Sequence, residues 1–495
     1  MNKIIKTALV ALLTFPMLTS CYEDKGNYDY LTEEETMPVK IGTLEDVTVK
    51  ANNLLTITPQ VTGEENGKFK YLWYTIAQDY PYDTDTLSEE HDLNVNIPLK
   101  VGKYTLYYKI TNEANGVYKY VEAPMTVTAS DVAAGWYVLK TGDKGVDFDY
   151  FSLSGKNDKT DFLTSVLGRE QGLEGSPVGL VYMDSGYGHE TTNEDGTVTK
   201  ESNLSAYHVV SSKGYLALSG SDLTVLKDLD EAFYETPATI DMQCIEQDNS
   251  NTCVLINNGK CHLLGNIGKW GYQPAGNYEL LPNVLAQQYD DIVYDTKSKQ
   301  FYAFDNWNRQ MGDCMDLYGT FNYADIDFQV SHFLSHTDRG YMCDCYCVGY
   351  SSVEDKYYVS VVPFMTTYIW GEVEYYEFPS TSLLLQSKVM AAPQSASVIY
   401  FAIGNKLYLH RVAEGGEERL VKTFAEGEEI SFIKNISGTD KDGNSFDDIV
   451  VLTNTSSGYK VYQLPLNGSA GELHTDVAPV MTGTGKASYI MFRQE

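Results

Sequence analysis

The stretch Cys253-Val254-Leu255-Ile256-Asn257-Asn258-Gly259-Lys260-Cys261-His262-Leu263-Leu264 has the pattern of a β-hairpin. Two apolar runs flank a polar centre, and its Asn-Gly pair suits the type I′ turn that joins two antiparallel strands. The same order of an apolar strand, a polar turn and an aromatic strand recurs through residues 135–495. The units are loosely spaced, at about 40 to 70 residues. This pattern predicts a repetitive all-β region.

The number of repeats follows from the length of that region, which is about 360 residues. A four-stranded propeller blade takes about 40–50 residues, so six to eight blades fit, and we predict seven. The chain also contains 39 tyrosines and 40 glycines, and aromatic residues favour strands whereas glycine favours turns. No Trp-Asp or kelch-type signature marks the units, so stacked β-sandwiches remain an alternative to the β-propeller.

The two ends of this region indicate how a propeller would close. Trp136-Tyr137-Val138-Leu139 opens it and Ala487-Ser488-Tyr489-Ile490-Met491-Phe492 ends it, and both read as apolar strands. A ring of blades leaves free strand edges unless the chain ends meet. We therefore expect the two strands to lie in one blade or in blades that touch.

A different β pattern precedes the repeats. In the run from Gly102 to Asn112, the residues Tyr104, Leu106, Tyr108 and Ile110 share one face of a strand, because strand side chains alternate between faces. Several short strands with one central tryptophan, Trp73, favour an immunoglobulin-like β-sandwich with that ring in its core. The predicted organisation is a signal peptide at 1–20, an acidic tether at 21–37, a sandwich at 38–130 and a propeller at 135–495.

The N-terminus carries a bacterial secretion and lipidation pattern. A short basic start and an apolar run from Ala8 to Met17 lead to Leu18-Thr19-Ser20-Cys21, which matches a lipobox. Cys21 would become the lipid-bearing first residue of the mature chain and anchor it to a membrane surface. An ordinary signal peptide with a chance cysteine is the alternative.

Charge and cysteine content limit the partners. The chain has 36 basic and 68 acidic residues and a net charge of −32. Nucleic acid is therefore not an expected partner, since phosphate binding needs clustered Lys and Arg. Of the eight cysteines, seven remain after Cys21. An odd number without regular spacing predicts one disulfide or none.

Three tryptophans are candidate ligand-binding residues. Trp270, Trp307 and Trp370 stand in or beside connecting stretches instead of alternating core positions. Exposed aromatic rings are surfaces on which sugars or peptides stack. Ordinary packing is the alternative for each of them.

Two segments have metal-ligand chemistry. Cys343, Cys345 and Cys347 alternate on one strand face, where neighbouring positions are about 7 Å apart, so burial in a blade core is favoured over zinc binding. The acidic loop at 440–448 offers Asp440, Asp442 and Asn444 as calcium ligands, but its spacing does not match an EF-hand. A solvated loop is the favoured interpretation there, and no cofactor is expected other than this weak calcium candidate.

Several stretches together resemble the PKD-like family of lipoproteins. They are the run from Cys21 to Tyr30, the Tyr71-Leu72-Trp73-Tyr74 strand, Gly135-Trp136-Tyr137-Val138-Leu139, and the hairpin from Ile399 to Leu409. The resemblance implies a lipid-anchored protein of the outer membrane, located at the cell surface, whose partners are an outer-membrane transporter and its glycan-binding lipoprotein. It implies no catalytic residues.

The sequence thus predicts a non-catalytic surface lipoprotein that binds a glycan, a peptide or a partner protein within a nutrient-uptake system. The alternative is a propeller enzyme, a hydrolase or lyase, that degrades polysaccharide with a carboxylate pair at the central channel. A set of acidic and basic side chains in the channel would favour the enzyme. A shallow Tyr/Trp surface would favour binding.

Overall fold

A computed structural model describes residues 32–494, except 52, 79–83, 129–133, 154, 156–157, 193–195, 248–252, 272, 287–289, 306–309, 339–341 and 440–442. The predicted signal peptide, Cys21 and most of the acidic tether therefore lie outside the described residues, as do Trp307, Asp440 and Asp442. In the part that is described, no helix is both long and apolar enough to cross a membrane.

Contacts between Cα atoms divide the chain into two compact units. The first comprises Met1–Val47, Thr56–Asn94 and Tyr104–Met125, and the second comprises Thr48–Leu55, Val95–Lys103 and Thr126–Glu495. Most of the predicted link at 130–134 falls among residues that are not described. The boundary predicted there stays a prediction.

The N-terminal region is a β-sandwich that follows a single helical turn, α1 (Glu33–Thr36). Its main sheet has the order β2-β9-β8-β5-β6, and β1 pairs with β4 and β3 with β7. The strands are β1 (Lys40–Ile41), β2 (Val47–Lys50), β3 (Leu54–Ile57), β4 (Val61–Thr62), β5 (Phe69–Ala77), β6 (Thr84–Ser88), β7 (Leu93–Asn96), β8 (Gly102–Asn112) and β9 (Tyr118–Thr128).

Alternation along β8 and β5 builds the core of the sandwich, as predicted. Tyr104, Leu106, Tyr108 and Ile110 are all buried. Trp73 is completely buried and stacks on Tyr108, with ring centroids 4.3 Å apart. The indole N–H of Trp73 donates to the backbone carbonyl of His91 at 3.2 Å, so the ring's polar atom is also satisfied.

The C-terminal region is a β-propeller of seven sheets within the described residues from 135 onward, which confirms the predicted fold. Strands β10 (Gly135–Gly142) and β11 (Gly145–Ser152) belong to blade 1, and a π-helical turn follows them at Phe162–Val166. Blade 2 consists of β12 (Pro177–Thr192), β13 (Val198–Ser211), β14 (Tyr215–Ser219) and β15 (Val225–Asp228). Blade 3 consists of β16 (Met242–Gln247), β17 (Cys253–Asn257), β18 (Lys260–Leu264) and β19 (Trp270–Gly271). Blade 4 consists of β20 (Leu285–Ala286), β21 (Asp290–Asp295), β22 (Gln300–Asp305) and β23 (Gln310–Asp313).

Blade 5 is the largest sheet and carries two extra short strands on its outer side. It consists of β24 (Met315–Asp316), β25 (Phe328–Asp338), β26 (Met342–Ser351), β27 (Lys356–Met365), β28 (Tyr368–Ile369) and β29 (Glu374–Phe378). Blade 6 is β30 (Met390–Ala391), β31 (Val398–Ile403), β32 (Lys406–Arg411) and β33 (Glu418–Thr423); blade 7 is β34 (Glu429–Thr439), β35 (Ser445–Asn454), β36 (Tyr459–Asn467), β37 (Glu472–Leu473) and β38 (Met481–Gly483); the last strand is β39 (Lys486–Arg493). Short 3₁₀ turns lie at Glu64–Asn66, Leu229–Glu231 and Leu383–Gln386.

The last strand closes the ring, as expected from the two apolar ends. β39 pairs antiparallel with β10, so that Trp136 lies opposite Phe492 and Val138 opposite Ile490. It forms the innermost strand of blade 1, in the order β11-β10-β39. Joining the two ends in one sheet removes the free edges that a ring would otherwise expose.

Each blade is buried on both faces, because it packs between two neighbouring blades. In β10, Tyr137 and Leu139 belong to a core shared with residues of blade 2 such as Leu180. Trp136 and Val138, on the opposite face, belong to a core shared with blade 7. This burial explains why the inner strands read as continuous apolar runs instead of alternating patterns.

The predicted hairpin at 253–264 also has the expected geometry. β17 and β18 pair with Ile256 opposite Cys261. The two turn residues Asn258 and Gly259 have φ values of 49° and 69°. Positive φ at both positions is the requirement of a type I′ turn.

The cysteines lie mainly in the blade cores. Cys345 and Cys347 are completely buried in the core of blades 4 and 5, with their Sγ atoms 3.6 Å apart. Cys343 is also buried, and no disulfide joins any of the seven described cysteines. The core interpretation of the Cys343–Cys347 run therefore holds.

Candidate functional site

Trp270 does not offer the exposed ring that the sequence predicted. The ring is completely buried, and its centroid lies 5.9 Å from that of Tyr215 and 5.8 Å from that of His208. Trp270 lies in the short strand β19, which pairs with β18, so the stretch around it is part of the blade and not a loop. The predicted exposure of Trp270 is therefore wrong, because β19 directs the ring into the core between blades 2 and 3.

Trp370 is exposed, with 44% of its surface accessible. It follows β28, which pairs with β24 so that Tyr368 lies opposite Met315. The neighbouring Leu317 and Tyr318 are exposed as well. We call Met315, Leu317, Tyr318, Tyr368 and Trp370 the outer aromatic patch of blade 5.

The calcium candidate can be followed only at Asn444. This residue is exposed and lies immediately before β35. Asp440 and Asp442 lie outside the described residues. Across the described residues no group of three or more His, Cys, Asp or Glu is arranged to hold a metal ion.

A second aromatic surface, which the sequence analysis did not single out, lies on the sandwich. Tyr74 on β5 and Tyr107 on β8 occupy opposite positions of adjacent strands. Their rings are nearly parallel, with centroids 4.8 Å apart and planes 7° apart. The ring of Tyr120, on β9, lies 5.9 Å from that of Tyr107. The rings thus run across three neighbouring strands.

Tyr118 and Lys109 extend this surface. The Lys109 Nζ atom lies 4.2 Å from the centroid of the Tyr118 ring, in a cation–π contact. Tyr118 and Tyr120, the first and third residues of β9, are 54% and 52% exposed. We call Tyr74, Tyr107, Tyr118, Tyr120 and Lys109 the tyrosine face.

The tyrosine face is solvent-accessible because alternation places it opposite the sandwich core. On β8, the buried Tyr108 points inward, whereas Tyr107 and Lys109 point outward. An open depression of about 330 Å³ adjoins the face and is lined by Ile41 and by the run from Tyr118 to Val121. The face therefore borders a concave surface.

The electrostatics of the face favour hydrogen bonding over proton transfer. Partial burial, with smaller contributions from Tyr120, Tyr118 and Glu122, raises the pKa of the Tyr74 phenol. Partial burial and the neighbouring Glu122 carboxylate raise the pKa of Tyr107 in the same way. Both phenols stay protonated at neutral pH and can donate hydrogen bonds, so the face combines ring surfaces with fixed polar groups.

Strand alternation in the sequence predicts only part of the tyrosine face. The alternation of β8 assigned Tyr107 and Lys109 to the side away from the core. β9 follows β8 after a short connection, so Tyr120 comes beside Tyr107 through a local pairing. Tyr74 comes from β5, whose pairing with β8 joins segments about 30 residues or more apart and is not specified by a local turn.

Comparison with solved structures supports the fold. The chain is similar to a quinonprotein alcohol dehydrogenase-like protein from Bacteroides thetaiotaomicron, with 11% sequence identity, a TM-score of 0.50 and coverage of 91% of this chain and 99% of that chain. It is also similar to the β-propeller domain of the Trilobed protease from Pyrococcus furiosus, with 10% identity, a TM-score of 0.31 and coverage of 73% of this chain and 98% of that chain. At 11% identity, the likeness to the Bacteroides thetaiotaomicron protein concerns the fold alone.

Sequence comparison reaches the N-terminal third of the chain. No curated protein matches the chain. A sequence model of the PKD-like family matches residues 21–177, a segment that covers the sandwich and the first strands of the propeller.

Proposed function

We propose that this protein is a non-catalytic, lipid-anchored surface protein that binds a glycan through the tyrosine face of its sandwich. The observation that carries the proposal is the row of rings of Tyr74, Tyr107 and Tyr120, with centroid steps of 4.8 and 5.9 Å across three strands. Tyr74 and Tyr107 stack on each other, whereas the more exposed rings of Tyr118 and Tyr120 offer apolar surface on which a sugar can stack while its hydroxyls bond to phenols and charged side chains.

Two further properties of the face support a glycan in particular. The exposed rings of Tyr118 and Tyr120 form an extended surface instead of a deep enclosed pocket, and an extended surface suits a chain-like ligand. Lys109 and Glu122 supply one cation and one anion beside the rings, which match hydroxyl groups without demanding a charged ligand. Cross-strand tyrosine pairs also stabilise a sheet by themselves, so the test must separate binding from stability.

The proposed location rests on the lipobox at Leu18-Thr19-Ser20-Cys21. We propose that lipid on Cys21 holds the protein at the outer membrane, where the outer-membrane transporter and glycan-binding lipoprotein of an uptake system would be its partners. A Cys21→Ser variant should move from the membrane fraction to soluble material. A variant that stays membrane-bound with unchanged mass would contradict the anchor.

The binding proposal is tested with the mature chain carrying Cys21→Ser. The protein is screened on a glycan array, and the affinity for the best glycan is measured by isothermal titration calorimetry. Tyr118→Ala and Tyr120→Ala should each weaken binding about tenfold, the effect of losing about 1.4 kcal/mol of contact.

The chain offers a matched control in Tyr318, which belongs to the outer aromatic patch and is 54% exposed, like Tyr118. Tyr318→Ala should leave the affinity unchanged. If Tyr318→Ala or Trp370→Ala abolishes binding while Tyr118→Ala does not, the outer aromatic patch of blade 5 is the glycan site and the tyrosine face is structural. Absence of any glycan binding would contradict the proposed function.

A further inference from the structure

Strand β9 of the sandwich is much longer than the strand that covers its outer side. Its two neighbours in the described sheet are β8 and β2, and β2 has four residues against the eleven of β9. The backbone N–H of Ala51, just after β2, donates to the carbonyl of Thr128 at 2.9 Å, so β2 lies beside the last residues of β9. In the described part of the chain, the first half of β9 therefore has a free edge.

The backbone groups of alternate residues point to this edge. The N–H of Asn112, at the end of β8, donates to the carbonyl of Val117 at 2.8 Å, so the carbonyl of Val117 faces β8. N–H and C=O groups change sides with each residue of a strand, and those of Tyr118, Tyr120 and Glu122 therefore face away from β8. We call the backbone of residues 118–122 on this side the free edge of β9.

Two residues further along β9 agree with this direction. The carbonyl of Thr128, an even number of positions after Tyr118, faces the β2 side. Pro124 belongs to the same alternation, and proline, which has no N–H, occurs in sheets where that side of the strand is not paired. The free edge thus ends before Pro124 and presents three N–H donors and three carbonyl acceptors.

Lysine often protects an exposed edge strand, but Lys119 does not protect this one. Its Nζ atom donates to the backbone carbonyls of Met37 and Val39, each at 3.2 Å, and lies 2.8 Å from the carboxylate of Glu33. Lys119 is the only basic residue of β9. Its ammonium is thus held by the segment that precedes β1, and no cation of β9 itself guards the edge.

The surroundings of the edge have room for added side chains. The open depression of about 330 Å³ follows the same residues and is lined by Ile41 and by the run from Tyr118 to Val121. Ile41 and Val121 are half-buried there. On the opposite face of the strand, the rings of Tyr118 and Tyr120 are more than half exposed. A strand placed beside β9 would therefore find an apolar surface on one face and aromatic rings on the other.

We infer that the free edge of β9 binds an extended segment of a partner protein, which adds to the sheet as a further strand. In this kind of recognition, main-chain hydrogen bonds provide affinity and alternate side chains provide specificity. The inference does not rest on glycan binding, because it uses the backbone of β9. Glycan binding uses the rings and can fail while strand addition holds.

Charge favours a basic segment over a second copy of this chain. The net charge is −32, so two copies repel each other. The exposed Glu122 belongs to the edge. Lys109 already lies 4.2 Å from the centroid of the Tyr118 ring, and a lysine or arginine of the added strand can contact the Tyr120 ring in the same way. We therefore expect a segment in which apolar residues alternate with basic ones.

The inference is tested with the mature chain carrying Cys21→Ser and a library of seven-residue peptides in which apolar residues alternate with lysine, arginine or threonine. Peptides are screened by fluorescence polarisation, and the tightest binder is titrated by calorimetry. At least one peptide should bind. Its counterpart with glutamate in place of each basic residue should bind about tenfold more weakly. If no peptide binds, the inference is overturned.

A methylation scan of the peptide backbone then tests the mode of binding. The tightest peptide is made with one N-methylated amide at a time, which removes a donor and keeps every side chain. Methylation should weaken binding about tenfold at every second residue and less than about threefold at the residues between them, because only alternate N–H groups of an added strand face β9. Equal effects at all positions, or no effect at any, would overturn strand addition.

Matched variants place the peptide on the protein. Glu122→Pro removes an N–H of the free edge, whereas Glu122→Ala keeps it, and both remove the carboxylate. Glu122→Pro should bind the peptide about tenfold more weakly than Glu122→Ala. Tyr118→Pro and Tyr118→Ala repeat the comparison at the first residue of β9. Because these N–H groups do not pair with β8, the variants should fold, which circular dichroism checks. Equal affinities within both pairs would place the peptide elsewhere and overturn the assignment.

Discussion

The sandwich and the propeller use tyrosine in opposite ways. On the tyrosine face the rings of Tyr118 and Tyr120 are more than half exposed. In the propeller, tyrosines such as Tyr137 and Tyr459 are buried, and their hydroxyls bond across blade boundaries. The Tyr137 hydroxyl lies 2.5 Å from that of Tyr207 in blade 2, and the Tyr459 hydroxyl donates to Asp149 in blade 1 at 2.6 Å.

The difference shows that the covering of a sheet decides what its tyrosines do. A blade is covered on both faces, so each buried hydroxyl needs a partner and becomes a link between blades. On the outer face of the sandwich sheet, the described residues leave Tyr118 and Tyr120 more than half exposed, so their hydroxyls need no protein partner. If this difference holds, the buried links stabilise the propeller and the exposed rings add little to the stability of the sandwich.

The largest effect is expected from removing the closing strand. Deleting Ser488–Glu495 takes away the buried Tyr489, Ile490 and Met491, each of which contributes about 1.5–3 kcal/mol, and it reopens the ring. We expect the protein not to unfold cooperatively on heating or not to fold at all. Deleting only Gln494 and Glu495 serves as the control and should leave the melting temperature almost unchanged. A deletion variant that melts like the parent would contradict closure of the ring by β39.

The next largest effect is expected from substituting Lys140, the buried cation that pairs with the same Asp149 carboxylate to which Tyr459 donates. Lys140 is completely buried, and its Nζ atom lies 2.7 Å from Asp149 and 2.8 Å from Asp161. Lys140→Met leaves the Asp149 carboxylate buried without its cation, which should lower the free energy of unfolding by about 3–5 kcal/mol.

The exposed Lys144, in the turn between β10 and β11, provides the control for this substitution. Lys144→Met should change the free energy of unfolding by less than about 0.5 kcal/mol. Urea unfolding followed by circular dichroism measures both variants. Equal stabilities would mean that the buried ion pair within blade 1 contributes little to the stability of the propeller.

A pair of hydroxyl deletions compares the two kinds of tyrosine directly. Tyr459→Phe removes a buried donor to Asp149 and should lower the free energy of unfolding by about 1–3 kcal/mol. Tyr118→Phe removes an exposed hydroxyl and should change it by less than about 0.5 kcal/mol. The same urea titrations apply. If both substitutions cost the same, the distinction between buried links and exposed rings fails.

The smallest effect is a pH dependence within blade 7. Glu428 accepts hydrogen bonds from Lys460 at 2.6 Å, from Thr453 at 2.8 Å and from the Tyr462 hydroxyl at 3.1 Å. Burial would raise the pKa of this carboxyl, but the bonds outweigh it and hold the pKa below its ordinary value of 4.5. A pKa that is lower in the folded state stabilises the protein above the unfolded value, and the stabilisation is lost as the pH falls through the folded value.

Glu428→Gln should therefore flatten the fall in melting temperature below about pH 4.5, since the amide does not titrate. The exposed neighbour Glu429 is the control, and Glu429→Gln should retain the parent's acid response. Melting temperatures recorded from neutral to acidic pH make the comparison. An acid response that is unchanged in Glu428→Gln would show that other carboxyls dominate this range.

Local patterns in the sequence were enough for the elements and for several of their contacts. The Asn-Gly turn specified the hairpin of β17 and β18, the central tryptophan and the alternating β8 specified the sandwich core, and the two apolar ends of the repeat region specified ring closure. Each of these depends on side-chain periodicity, on turn chemistry or on the need to cover a strand edge, all of which can be read without a structure.

The sites required the tertiary structure. Trp270 stands beside glycines and reads as a loop residue, yet β19 turns it into a core, whereas Trp370 in a similar setting stays exposed. Local sequence does not distinguish the two, because burial depends on which neighbouring blade covers the strand.

Local sequence was therefore sufficient to predict the all-β class, the order of sandwich and propeller and the pairing of the chain ends, although stacked sandwiches stayed open as an alternative. Which side chains meet follows from the tertiary structure. The tyrosine face brings Tyr74 of β5 beside Tyr107 of β8 through the register of two strands that are distant in sequence, and the hydroxyl of Tyr459 reaches Asp149 across 310 positions of the chain. Periodicity is a local property that sequence records directly, whereas convergence on a face or an axis is set by long-range packing of whole sheets.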